Sequence, residues 1–86
     1  SAEWSGFLQA WAEVFGNSPV TARQVVEAPA LADAFPSEVR EGKQGEVTAA
    51  ALAYALRRRR GVYHAGGWRL EAAPKSMRGV PWRVVR

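Results

Sequence analysis

Four consecutive arginines, Arg57 to Arg60, are the residues of this 86-residue chain best suited to chemistry. They close an alanine-rich stretch, Thr48-Ala-Ala-Ala-Leu-Ala-Tyr-Ala-Leu56, at helical spacing. On such a helix Leu52, Ala53 and Leu56, with Ala49 a turn earlier, share one face. Ala50, Tyr54, Arg57 and Arg58 fall on the opposite face, with Ala51 at its edge. An arginine there can donate two parallel hydrogen bonds to guanine O6 and N7, or grip a phosphate without reading sequence. Small residues beside it permit close approach to a duplex. Cations also stabilise a helix C-terminus through the macrodipole, which accounts for one or two arginines but not for four. The predicted contacts on this helix are Thr48, Ala50, Ala51, Tyr54, Arg57, Arg58 and Arg60.

Charge is distributed unevenly. Residues 1–43 hold three basic and six acidic side chains; residues 44–86 hold nine and two. A segregated basic surface attracts polyanions. Downstream of the arginines, Val62–Ala65 and Trp68–Glu71 flank Gly66-Gly67, a pair able to supply the positive φ of a tight hairpin turn. This predicts a basic wing over Tyr63–Arg69, with Tyr63, His64 and Arg69 as candidate contacts. A strand histidine is more often packed or solvent-facing than a contact, so His64 is the weakest of the three. The Ala72–Gly79 loop adds Lys75 and Arg78. Pro81–Val85 alternates as a last strand.

Catalysis finds no footing. No nucleophile–base set, glycine-rich phosphate loop or metal-ligand spacing occurs. There is no cysteine, and one histidine cannot make a zinc site. The expectation is a binding module rather than an enzyme, with no cofactor and no metal. No apolar run approaches the roughly 20 residues of a membrane span. The lack of cysteine is compatible with the cytoplasm, the expected compartment. The chain opens on Ser1-Ala2 and reads as one domain, residues 1–86, excised from a longer protein.

The first half supplies the supporting helices. Trp4, Phe7, Leu8, Trp11, Val14 and Phe15 follow one helical face over Glu3–Phe15, stopped by Gly16-Asn17-Ser18-Pro19. Val20 reads as a short strand for pairing with a hairpin edge. Thr21 caps a second helix, Ala22–Ala28, broken by Pro29. Ala30–Phe35 can add a helical turn, and Ser37–Gly45 is polar and turn-rich. Gly61 ends the arginine helix. Trp68 and Trp82, alternating with aliphatics, are expected in the core. The whole predicts an α+β fold: a winged helix-turn-helix of three to four helices with a C-terminal wing of two or three strands. Its expected partners are DNA, in duplex form, and other domains of the parent protein, with no membrane. A winged helix used to bind protein is the alternative, and exposed aromatics at Tyr63 or Trp68 would favour it.

The motifs Leu52-Ala-Tyr-Ala-Leu56-Arg57, Arg60-Gly61-Val62, Gly66-Gly67-Trp68-Arg69-Leu70 and Trp82-Arg83-Val84 carry a resemblance. The chain resembles the C-terminal winged-helix domain of primase–helicase and replication proteins of phages, prophages and plasmids. Trp11, Val20-Thr21-Ala22 and Val25-Val26 fit that family's first half, so the resemblance spans most of the chain. It implies a domain that places a mobile-element replication factor on DNA, with catalysis in other parts of the parent. The sequence departs from the family pattern at Ala53, where glycine is frequent. It departs again at Ala50-Ala51, where a polar base-reading residue is expected.

Overall fold

The computed structural model describes residues 2–86. Three α-helices and a three-stranded antiparallel sheet form an α+β domain. Helix α1 spans Ala2–Phe15, strand β1 Val20–Thr21, helix α2 Ala22–Val26 and helix α3 Ala49–Arg59. Strands β2, Arg69–Ala72, and β3, Pro81–Val85, complete the sheet in the order β1-β3-β2. Two 3-10 turns, Pro29–Leu31 and Ser37–Val39, lie between α2 and α3. No described helix is long and apolar enough to cross a membrane.

Local chemistry explains the boundaries. Thr21 forms a capping box with Gln24: its hydroxyl accepts the Gln24 N–H at 3.2 Å, and Gln24 Oε1 accepts the Thr21 N–H at 2.8 Å. The Thr48 hydroxyl accepts the Ala51 N–H at 3.1 Å and starts α3. Gly61, at φ 77°, takes the left-handed conformation just beyond its end.

The core is built from α1, α3, the inner sheet face and the 3-10 turns. Trp4, Phe7, Leu8 and Trp11 are buried on α1; Leu52, Ala55 and Leu56 on α3; Val20, Leu70, Trp82 and Val84 on the sheet. Trp82 is opposite Val20 on one side and Ala72 on the other. Leu31 and Phe35, from the stretch expected to add a helical turn, and Val39, from the segment expected to be turn-rich, close the core.

Several expectations need correction. Val62–Ala65 is not a strand. Its backbone makes a compact loop in which the His64 N–H donates to Trp68 O at 2.8 Å and the Gly67 N–H to His64 O at 2.9 Å. Gly66 and Gly67 do adopt positive φ, 87° and 83°. Any side chain at Gly66 would also meet the Trp68 indole at 3.1 Å. The turn therefore forms, but the segments it joins share one cross-turn bond, from His64 to Trp68, and no strand ladder. The loop is drawn inward by His64, whose ring stacks on Trp4 with centroids 6.2 Å apart, and by Ser5, whose hydroxyl donates to Ala65 O at 2.6 Å. The hairpin of the sheet is instead β2–β3, with residues 73–80 as its connecting loop. The second helix stops at Val26, two residues short of its expected end. Val14 is exposed, as it lies about 70° from the centre of the buried face of α1.

Candidate nucleic-acid interface

Nine cations occupy the second half of the chain, and the structure sorts them by what they already touch. Arg59 is held inside the fold's own network. Its Nη2 donates to Glu38 Oε1 at 2.6 Å, and its guanidinium lies over the Trp4 ring at 4.7 Å. The Trp4 indole N–H donates to the same oxygen at 2.5 Å. That indole bond, with the charge of Arg59, holds the Glu38 carboxyl below its ordinary range despite partial burial. On the outer sheet face Glu71 receives two arginines. Arg83 donates to Oε1 through Nε and Nη2 at 3.1 and 2.9 Å, and Arg69 reaches Oε2 at 3.3 Å. The Arg83 hydrogen bonds lead in lowering the Glu71 pKa. Arg86 donates to Gly66 O at 3.0 Å and covers the half-buried Trp68 at 4.7 Å. Among the described residues, Arg57, Arg58, Arg60, Lys75 and Arg78 enter no ion pair.

Three of those five are not scattered. Arg57 on α3 and Lys75 and Arg78 on the β2–β3 loop line one open cleft of about 400 Å³. Arg23, on α2, lines it as well, its guanidinium paired with Glu27 at 3.3 Å, and no carboxylate lines the cleft itself. Ala50 and Ala53 form the α3 wall, with Trp82 also in the lining. Ala53, expected on the inner face with Leu52 and Leu56, is only half-buried, and Ala55 takes the core position instead. Such a cleft can seat a polyanion backbone, with short side chains allowing close approach to α3. The other flank of α3 differs. Thr48, Ala51, Tyr54 and Arg58 face a wider hollow shared with Glu38 and Glu41. Tyr54 is 58 % exposed, with the Arg58 guanidinium 5.8 Å from its ring centroid. Ala50 borders both flanks. The Thr48 hydroxyl is occupied by its cap.

Arg60, Tyr63 and Arg69 form a third group beside the edge of β2. Tyr63 is 72 % exposed, with Arg69 stacked 5.3 Å from its ring centroid. The expected wing over Tyr63–Arg69 thus gives a loop patch separate in lining from the Arg57 cleft. His64 is buried. It is 7 % exposed, and its Nε2 makes no hydrogen bond among the described residues. Its place in the contact set is corrected to the core, because its ring completes the packing on Trp4. Sequence reasoning also missed Arg23. The signal was present in the capping box, which fixes Arg23 on the exposed side of α2.

Burial of His64, with Arg59 nearby, lowers its pKa from the ordinary 6.5. The unfolded chain then binds a proton more readily than the folded one. Stability from this group is complete above about pH 6.5 and declines as pH falls from there toward the folded pKa. The carboxylates Glu38 and Glu71 act in a lower window, losing their contribution below about pH 4.5. Melting temperature should therefore fall between about pH 7 and 5 in the wild type and flatten over that range in His64→Phe. Identical slopes for the two proteins would remove His64 as the cause.

Comparison with family models, curated proteins and solved structures gave no match to this chain, so the assignment of the interface rests on the geometry of Arg23, Arg57, Lys75 and Arg78.

Proposed function

We propose that this domain is a winged helix that binds duplex DNA, with α3 as the recognition helix and the β2–β3 hairpin as the wing. One observation carries the reading: cations from α2, α3 and the hairpin loop line a single cleft free of carboxylates. An α-helix fits the major groove, and α3 offers alanines at 49, 50 and 53 where its backbone would come near the duplex. Those alanines lack the donors and acceptors that read base edges. Discrimination between sequences is accordingly expected to be small, with phosphate contacts supplying most of the affinity. On the family resemblance, the parent is a replication protein of a mobile element, of primase–helicase type, and this domain holds it on DNA.

The test is a salt titration on duplex and single-stranded DNA. With four to six phosphates neutralised, log K should fall against log salt with a slope of roughly −4 to −5 on duplex. A flat response would sink the DNA reading even if some binding were seen. A second reading, docking of a protein partner, is favoured by Tyr63 and Val62, both exposed on the loop after α3. It predicts that Tyr63→Ala abolishes partner capture and leaves the duplex isotherm unchanged.

A further inference from the structure

The turn of the β2–β3 hairpin presents an apolar side chain where folding has no use for one. Met77, the only methionine of the chain, is as exposed as in an extended peptide and packs on no part of the core. The backbone around it is tightly held. Ser76 and Gly79 exchange both N–H···O bonds at 3.0 Å. The Ser76 hydroxyl accepts the Arg78 N–H at 3.2 Å and donates to Gly79 O at 3.2 Å. A fixed turn carries little further ordering cost on binding, so Met77 is held out in advance. Lys75 and Arg78 stand on either side of it in sequence and line the cleft that also holds Arg57.

We infer that Met77 is a wedge that enters the minor groove of the bound duplex and opens a base step, while Lys75 and Arg78 hold the flanking phosphates. This rests on the DNA reading above. The minor groove is about 6 Å wide, which suits one slender apolar side chain. The thioether is flexible and polarizable enough to fill an irregular gap between bases. Apolar wedges of this kind unstack a step and kink DNA by roughly 20–90°. The cost of unstacking is offset by the burial of Met77 and by the closer approach of phosphates to Lys75 and Arg78. Flexible pyrimidine–purine steps open most readily, so TA and CA steps are the preferred sites. Lys75 and Arg78 bracket Met77, and the one carboxylate in the hollow it borders, Glu27, is already paired with Arg23. That balance decides for a polyanion over an apolar protein groove as the acceptor.

The experiment uses the intact domain and a duplex of about 25 base pairs with a central TA step and dyes at its ends. Wild type, Met77→Ser and Met77→Leu are compared for affinity, salt slope and end-to-end distance at saturation. The wild type should shorten that distance by a bend of at least about 20°. Met77→Ser should bind roughly tenfold more weakly and leave the duplex straight, whereas Met77→Leu keeps both properties. All three should share one salt slope and one melting temperature, since neither a charge nor the core is altered. Wild-type binding with a normal salt slope but no bend overturns the wedge alone. So does equal binding and bending by Met77→Ser, or a lowered melting temperature for it. If Met77→Ser loses only adsorption to phosphatidylserine vesicles, the tip serves a membrane and the wedge is overturned. Failure of the wild type to bind duplex at all overturns the DNA reading and the wedge with it.

Discussion

Trp82→Ala should destabilise the domain by about 3–5 kcal/mol, the range for truncating a large buried aromatic. Total stability of domains is about 5–15 kcal/mol, and a small one sits low in that range. The variant is therefore expected to be largely unfolded at moderate temperature. The reason is position as much as size. Trp82 is 3 % exposed on the central strand, paired across Val20 on β1 and Ala72 on β2. It also lines the cationic cleft. Its loss would unpack both neighbouring strands and the cleft together. Tyr54→Ala is the contrast. Tyr54 is exposed on α3, with the Arg58 guanidinium near its ring, so its removal should change stability by no more than about 0.5 kcal/mol. It should weaken DNA binding modestly. Denaturant melts and binding isotherms of both variants decide the matter. If Tyr54→Ala unfolds the domain while Trp82→Ala merely binds less well, the register of α3 is reversed and the cleft is misassigned.

Periodic elements were legible in the sequence because their determinants are local. The face of Trp4, Phe7, Leu8 and Trp11 identifies α1. The Thr21 cap fixes the start of α2, whereas the sequence leaves the start of α3 open between Thr48 and Glu46, and the structure gives it to Thr48. Alternation about Trp82 and Val84 gives β3 with its observed bounds. The brief strand at Val20 was readable only as a candidate partner for a hairpin, which the Val20–Trp82 pair bears out. The loop after α3 was misread for a non-local reason. Val62–Ala65 alternates well enough for a strand, but His64 is claimed by Trp4, 60 residues earlier, and β2 by β3. Leu31, Phe35 and Val39 were invisible as core because prolines at 29 and 36 break any helical template between them.

The sorting of charge was likewise hidden. A sequence shows Arg57 to Arg60 as one run, yet Arg59 turns back to Glu38 on the 3-10 turn before α3 while Arg57 opens onto the hairpin loop. Counting cations therefore overstates the free charge of the outer sheet face, where Glu71 holds Arg69 and Arg83. It also misses that the acidic half contributes Arg23 to the cleft wall, where an exposed pair with Glu27 already holds it.

That sorting yields the largest expected effect on binding. Replacing Arg57, Lys75 and Arg78 together by glutamine should reduce the magnitude of the salt slope by about 2.7, some 0.9 for each phosphate no longer neutralised. Affinity at low salt should drop by more than about a hundredfold, since each charge-assisted hydrogen bond is worth roughly 1.5–3 kcal/mol. The control removes the same formal charge elsewhere: Arg69, Arg83 and Arg86 to glutamine. Those three already serve Glu71, Trp68 and the Gly66 carbonyl. General attraction between a basic protein and DNA would make the two triple variants equivalent. A seated phosphate backbone would not: the cleft variant loses its slope, and the control keeps most of it. None of the three cleft side chains is in the buried core, so the cleft variant should melt with the wild type and its weaker binding can be assigned to the missing cations. Equal reductions in both triples, with both proteins folded, would reduce the cleft to a coincidence of net charge.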